Sequence, residues 1–211
     1  MSARRGGDSA PERSRPEAAR PDLRAPAPAP LALGLLPALR GLLRGRIVVM
    51  GIGNPLRGDD AVGSVVVRGL QAWSYATPTP DDPGRLTILD AEEIPESWLG
   101  PAVAAHPDVV LLVDAVELGA EPGAAALLSA RELGGQTLFT HRTPLRPLTE
   151  YLAHETGAEI ALLGIQPGPL DWGEDLSPDV SAAAADLVLL LIEVLEAALG
   201  AASAPEAVAC T

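Results

Sequence analysis

The sequence predicts an α/β domain of three layers, with helices covering both faces of a mostly parallel, twisted sheet of about five strands. From Arg46 onward, short apolar runs alternate with amphipathic segments, the pattern of strands joined by helical crossovers. One of those runs, Val109 to Val113, consists only of branched aliphatic residues, as expected of a strand covered on both faces.

Taken in order, residues 1–45 are rich in Pro, Ala and Arg and hold almost no β-branched or aromatic side chains. Such a stretch buries too little apolar surface to offset the entropy of ordering, so it reads as a disordered arm. Leu31 to Leu43 could form a short helix packed on the domain, with Pro37 limiting it to a turn or two on either side. The folded domain is expected over residues 46–200, followed by a flexible tail at 201–211. Ile47 to Ile52 is a buried strand ended by the turn Gly53-Asn54-Pro55. Residues 60–74 set Val62, Val65, Val66, Leu70 and Trp73 along one helical stripe. A second strand spans Leu86 to Asp90, and a short helix from Pro95 turns Trp98 and Leu99 inward. Val109 to Val113 is the third strand and Ala124 to Leu128 a weaker one at an edge. Thr143-Pro144 opens a helix through Leu145, Leu148 and Leu152 that stops at Gly157, and Ile160 to Ile165 is the last strand. Ser177-Pro178 repeats the start signal for a closing helix that carries Val180, Ala184, Leu187, Leu191, Val194 and Ala198 before Gly200.

Charge narrows the partners. The net charge is -13, there is no lysine, and many of the arginines lie in the arm, so the domain itself is acidic. An acidic body repels phosphate backbones and attracts metal cations or basic peptides, which argues against nucleic acid. The only cysteine, Cys210, rules out an intrachain disulfide and a multi-cysteine zinc site and fits a reducing cytoplasm. The apolar run Leu187 to Leu195 is shorter than the ~20 residues of a membrane span and contains Glu193, so no membrane association is expected. Arg4-Arg5 lacks the apolar stretch that follows a twin-arginine export pair.

Ligands of open α/β sheets gather at the carboxyl ends of the strands, so polar residues there are the candidates. The first strand leads into Asp59 and Asp60 at the start of a helix, the third runs out into Asp114, and His141 stands just ahead of Thr143-Pro144. Each has a structural alternative. Asp59 reads as a cap of the following helix, and Asp60 could be the same. Asp114 could hold the turn from Val116 to Gly119, and His141 alone could be a surface or capping residue. His106 and His154 are weaker candidates, one beside Pro107 in a loop and one facing solvent on a helix. Together, Asp60, Asp114 and His141 form a mixed oxygen and nitrogen set suited to a divalent transition metal with open positions.

Other chemistries lack their parts. Ser64 in Val62-Gly63-Ser64-Val65-Val66 misses the second glycine of a nucleophile elbow. Cys210 has no positioned base nearby in sequence. The loop Gly51 to Gly58 has neither the Lys-Ser/Thr ending of a P-loop nor the third glycine of a dinucleotide fingerprint.

Between Arg46 and Leu199 the chain resembles the hydrogenase maturation endopeptidases, most closely those of the formate-linked type. The resemblance rests on Gly51-Ile52-Gly53-Asn54-Pro55-Leu56-Arg57-Gly58-Asp59-Asp60-Ala61-Val62-Gly63, then Asp114-Ala115, Thr140-His141-Arg142-Thr143-Pro144-Leu145 and Leu163-Gly164-Ile165-Gln166-Pro167, in the family's order. It implies a phosphorylase/hydrolase-like sheet between helices, a nickel site at Asp60, Asp114 and His141, and removal of a C-terminal extension from a nickel-loaded hydrogenase large-subunit precursor. The nickel then arrives with the precursor, and the protease acts as a cytoplasmic monomer. One departure concerns substrate fit: the family's usual Asp-Gly-Gly after the second strand is Asp90-Ala91-Glu92-Glu93 here. Two rival readings remain, a non-proteolytic nickel-binding assembly factor and a metal-independent small-molecule-binding α/β domain.

Overall fold

A computed structural model describes residues 34–77, 84–129, 145–168, 170, 172–173 and 175–200. The elements are α1 (Leu35–Leu42), β1 (Ile47–Ile52), a 3-10 turn (Gly58–Ala61) leading into α2 (Val62–Ala76), and β2 (Leu86–Glu92). A second 3-10 turn (Pro95–Trp98) leads into α3 (Leu99–Ala104), followed by β3 (Val109–Ala115), β4 (Ala125–Ser129), α4 (Leu145–Thr156), β5 (Glu159–Ile165) and α5 (Pro178–Gly200).

The five strands form one sheet in the order β2-β1-β3-β5-β4. All pairings are parallel except β4 against β5. The edge position expected for the fourth strand is therefore the observed one, and its antiparallel run lets it follow β3 without a helical crossover.

Alternation along the strands divides the core. Ile47, Val49, Val109, Leu111 and Val113 pack with Leu163 against Leu39 of α1, Val66 and Leu70 of α2 and Leu187 and Leu191 of α5. Val48, Met50, Val110, Leu112 and Leu162 face the other way, onto Ala102 of α3 and Leu148 and Leu152 of α4. This is the three-layer arrangement expected from the apolar runs.

Three expectations are corrected. The packed domain begins before residue 46, because α1 buries Leu35, Leu39 and Leu42 and is followed by buried Leu43. Pro37 does not divide this helix: it lies in the first turn, where a backbone N–H has no acceptor to lose. Trp98 is not turned inward. It is 36% exposed at the end of a 3-10 turn, while Leu99 packs on the core. Gly157 does terminate α4, with φ +68.

Candidate active site

From β1 the chain proceeds by way of α2 to β2 on one side, while β3 lies on the other side of β1. The gap beyond the carboxyl ends of β1 and β3 is thus the switch point where an open sheet forms a crevice. Asp60 enters from the 3-10 turn after β1, and Asp114 stands within β3, opposite Gly164 of β5.

Close backbone packing makes this meeting possible. A Cβ on Gly63 would lie 2.2 Å from the Ile52 carbonyl oxygen and 2.3 Å from that of Val113, so α2 starts pressed against the ends of both strands. Gly53, at φ +148, lies so close beneath the Asp60 carbonyl that a Cβ there would fall 1.9 Å from the oxygen. Any larger residue at either position would push the turn carrying Asp60 away from the sheet.

Both carboxylates are buried. Burial raises the pKa of Asp114 well above the ordinary carboxylate value; the charge of Asp60 raises it further, and the Ala115 backbone N–H opposes the shift. Asp60 therefore acts electrostatically on Asp114. The turn beyond Asp114 is held by other groups: Leu118 and Ala120 donate to the Gln166 side-chain oxygen at 2.7 and 3.3 Å, and Gly119 donates to Glu117 at 3.1 Å. That removes the reading of Asp114 as the turn's own fastener. Gln166 belongs to the fourth block of the resemblance, but its role in shaping this loop was not visible in the sequence.

Asp59 and Asp60 differ sharply. Asp59 does not cap α2, whose start carries no side-chain cap. Its carboxylate instead accepts from Gly168 N at 2.8 Å, Ser177 N at 2.6 Å and Ser177 Oγ at 2.8 Å, which fastens the turn after β1 to the loop before α5. Among the described residues, Asp60 receives one long contact, 3.4 Å from Asn54 N. Asn54 also donates to Glu93 at 2.8 Å and accepts from Leu56 N at 2.9 Å, so it links the Asp60 turn to the end of β2.

Beside that link lies a cleft of about 350 Å³, lined among others by Asp90, Glu92, Glu93, Ile94 and Trp98. The residue standing in the family's glycine-rich segment, Glu92, adopts φ +49, a conformation that glycine takes without strain. Arg68 on α2 spans Asp90 at 2.6 Å and Glu92 at 2.8 Å, which braces the strained strand end. His141 lies at 130–144, outside the described residues; His106 and His154 are both exposed.

Comparison with known proteins gives the arrangement a family. The profile of the HycI hydrogenase maturation protease family matches residues 82–194. A putative hydrogenase maturation protease of Methanocaldococcus jannaschii is 31% identical over 151 residues, covering 72% of this chain and 89% of that protein. The hydrogenase 3 maturation protease of Escherichia coli K12 is 27% identical over 121 residues, covering 57% of this chain and 72% of its own. The crystal structure of a [NiFe] hydrogenase maturation protease HycI from Thermococcus kodakarensis superimposes with a TM-score of 0.66 at 35% identity, over 75% of this chain and 99% of that one. The chain belongs to the hydrogenase maturation protease family and is a peptidase.

Proposed function

We propose that this peptidase removes the C-terminal extension from a nickel-loaded precursor of a [NiFe] hydrogenase large subunit in the cytoplasm, acting as a monomer and recognising the bound nickel through Asp60, Asp114 and His141. The observation that carries this reading is the pair of buried carboxylates at the switch point, the charge of one raising the pKa of the other. Two like charges held out of water favour a divalent cation between them, which neutralises both. The donor set therefore fits nickel, which the precursor brings as cargo. The names of the relatives support a hydrogenase precursor as the substrate.

Chain geometry is compatible with the imidazole joining the pair. By alternation Asp114 shares the sheet face of Leu112, which packs in one cluster with Leu145 and Leu148 of α4. His141 precedes Leu145 by four residues, a span of at most about 14 Å when extended.

Hydrolysis adds water across the peptide bond: the carbonyl carbon gains hydroxyl, and the departing amine leaves with a proton. A carboxylate at the rim is placed to orient that water or accept its proton. The cleft beside β2 offers the path by which the extension reaches it.

Incubation with nickel-loaded and nickel-free precursor tests the proposal. A shortened product from the loaded form alone is expected. Stable association without trimming would replace the protease by an assembly factor, and neither association nor trimming would favour a small-molecule-binding domain.

A further inference from the structure

Arg57 lies in the turn between β1 and Asp60, and its surroundings differ from those of most other described arginines. Arg40, Arg44, Arg68 and Arg146 each face a carboxylate, and Arg85 donates to the carbonyl oxygens of Ala198 and Leu199. Among the described residues, Arg57 has neither kind of partner, and its Nε is buried without a hydrogen bond. The guanidinium is held instead over the ring of Trp172, 5.6 Å from the centroid.

The platform is built rather than incidental. Gly58 N donates to the Gly173 carbonyl at 2.7 Å and Gly173 N to the Leu56 carbonyl at 3.2 Å, so the turns carrying Arg57 and Trp172 are joined through their backbones. Asp59, two positions after Arg57, fixes the same two segments through Gly168 and Ser177. Trp172 is 76% exposed and Leu56 54% exposed, so the Arg57–Trp172 contact stands at an open rim. A planar guanidinium held over an aromatic ring is oriented with its forked donors available for a planar two-oxygen acceptor.

We propose that Arg57, positioned by Trp172, is a specificity-determining residue that binds a carboxylate of the precursor alongside the cleavage site. This rests on the precursor-processing reading above. The carboxylate belongs either to an acidic side chain near the cleavage site or to the free chain end of the extension, and both would be received by the same fork. In an acidic protein whose site holds two further carboxylates, a cation at this rim also prevents the substrate's own negative charge from being repelled.

The test measures both binding and cleavage of nickel-loaded precursor by wild type, Arg57→Gln, Arg57→Lys and Trp172→Ala, with thermal unfolding of each protein as the folding control. Arg57→Gln should raise Kd and KM by about tenfold, the scale of one charge-assisted hydrogen bond, and leave kcat within about twofold. Arg57→Lys should recover only part of the loss, and Trp172→Ala should weaken binding with unaltered folding. Leu189→Ala, which alters an exposed leucine on α5, should change nothing. Precursors with acidic residues near the cleavage site changed to amides, or with neutral residues added beyond the chain end, separate the two sources: the difference between wild type and Arg57→Gln should vanish for one of them. Unchanged Kd and KM in Arg57→Gln, or a loss equal on every precursor, overturns the inference while cleavage by wild type keeps the protease reading. Binding that depends on Arg57 without any cleavage by wild type keeps the inference and removes that reading. Neither binding nor cleavage by wild type removes both.

Discussion

At the end of the sheet where the strands begin, Arg46 N donates to Asp108 at 2.7 Å, Arg44 meets Glu159 at 2.8 Å, and Arg85 reaches the last carbonyls of α5. At the end where the strands stop, Asp114 is buried within the charge field of Asp60, and among the described residues Arg57 Nε has no hydrogen bond and one oxygen of Asp90 is buried without a partner. Both ends are rich in charge, so charge content does not separate them. What separates them is satisfaction: at one end Asp108, Arg44, Glu159 and Arg85 each meet a partner, while at the other some buried groups are left in positions that cost stability. Unsatisfied buried groups are tolerated where something external completes them.

The largest effect expected from breaking this contrast is at Asp114. Asp114→Asn keeps the shape and removes the charge, and processing of nickel-loaded precursor should fall by more than about a hundredfold, a scale reached even by outer-shell partners of metal ligands. Stability should move the other way. The raised pKa means that the folded state holds its proton more tightly than the unfolded chain. Folding stability in the wild type is therefore unaffected by this group below the unfolded value, falls as pH rises through the interval up to the folded pKa, and stays lowered above it. The variant lacks that loss, so its melting temperature should exceed that of wild type at neutral pH, with the gap closing on acidification. A variant that melts lower at pH 7 would show that Asp114 is a structural carboxylate.

Asp59→Asn probes the neighbouring, fully satisfied carboxylate. The substitution sets an amide donor against the backbone N–H of Gly168 or of Ser177, each of which needs an acceptor, and should cost about 2–4 kcal/mol. Urea unfolding measures the loss. Activity per folded molecule should fall far less than in Asp114→Asn, and equal losses in both would mean that Asp59, rather than its neighbour Asp60, works with Asp114.

Those adjacent aspartates show what a sequence can reveal and what it hides. The strands were legible because each is a short apolar run closed by turn residues, and Asp60 and Asp114 could be picked as candidates because ligands gather at the carboxyl ends of strands in an open sheet. Asp59 was misread because capping is judged locally, whereas its partners lie 109 and 118 residues away. Arg57 was unreadable for the same reason, its partner Trp172 arriving from the far end of the domain. The helix α1 was foreseen within Leu31 to Leu43, but its Ala- and Pro-rich surroundings placed it in the arm, and only burial of Leu35, Leu39 and Leu42 assigns it to the domain. Trp98 was assigned a helical phase, but a 3-10 turn advances its side chains differently and leaves the ring at the cleft.

The smallest effect expected is at the satisfied end. Arg44 and Glu159 are both more than half exposed, so their ion pair is screened and should contribute no more than about 0.5 kcal/mol. Glu159→Gln should therefore shift the urea midpoint hardly at all and leave precursor cleavage unchanged. Together with Asp114→Asn this separates two meanings of a paired charge. If the Gln variant is stable and active, partners where the strands begin serve to leave no group seeking a ligand, and contribute little to holding the fold. A loss of 2 kcal/mol or more would instead make that end a structural clamp, and the contrast between the ends would be one of stability rather than of readiness to bind.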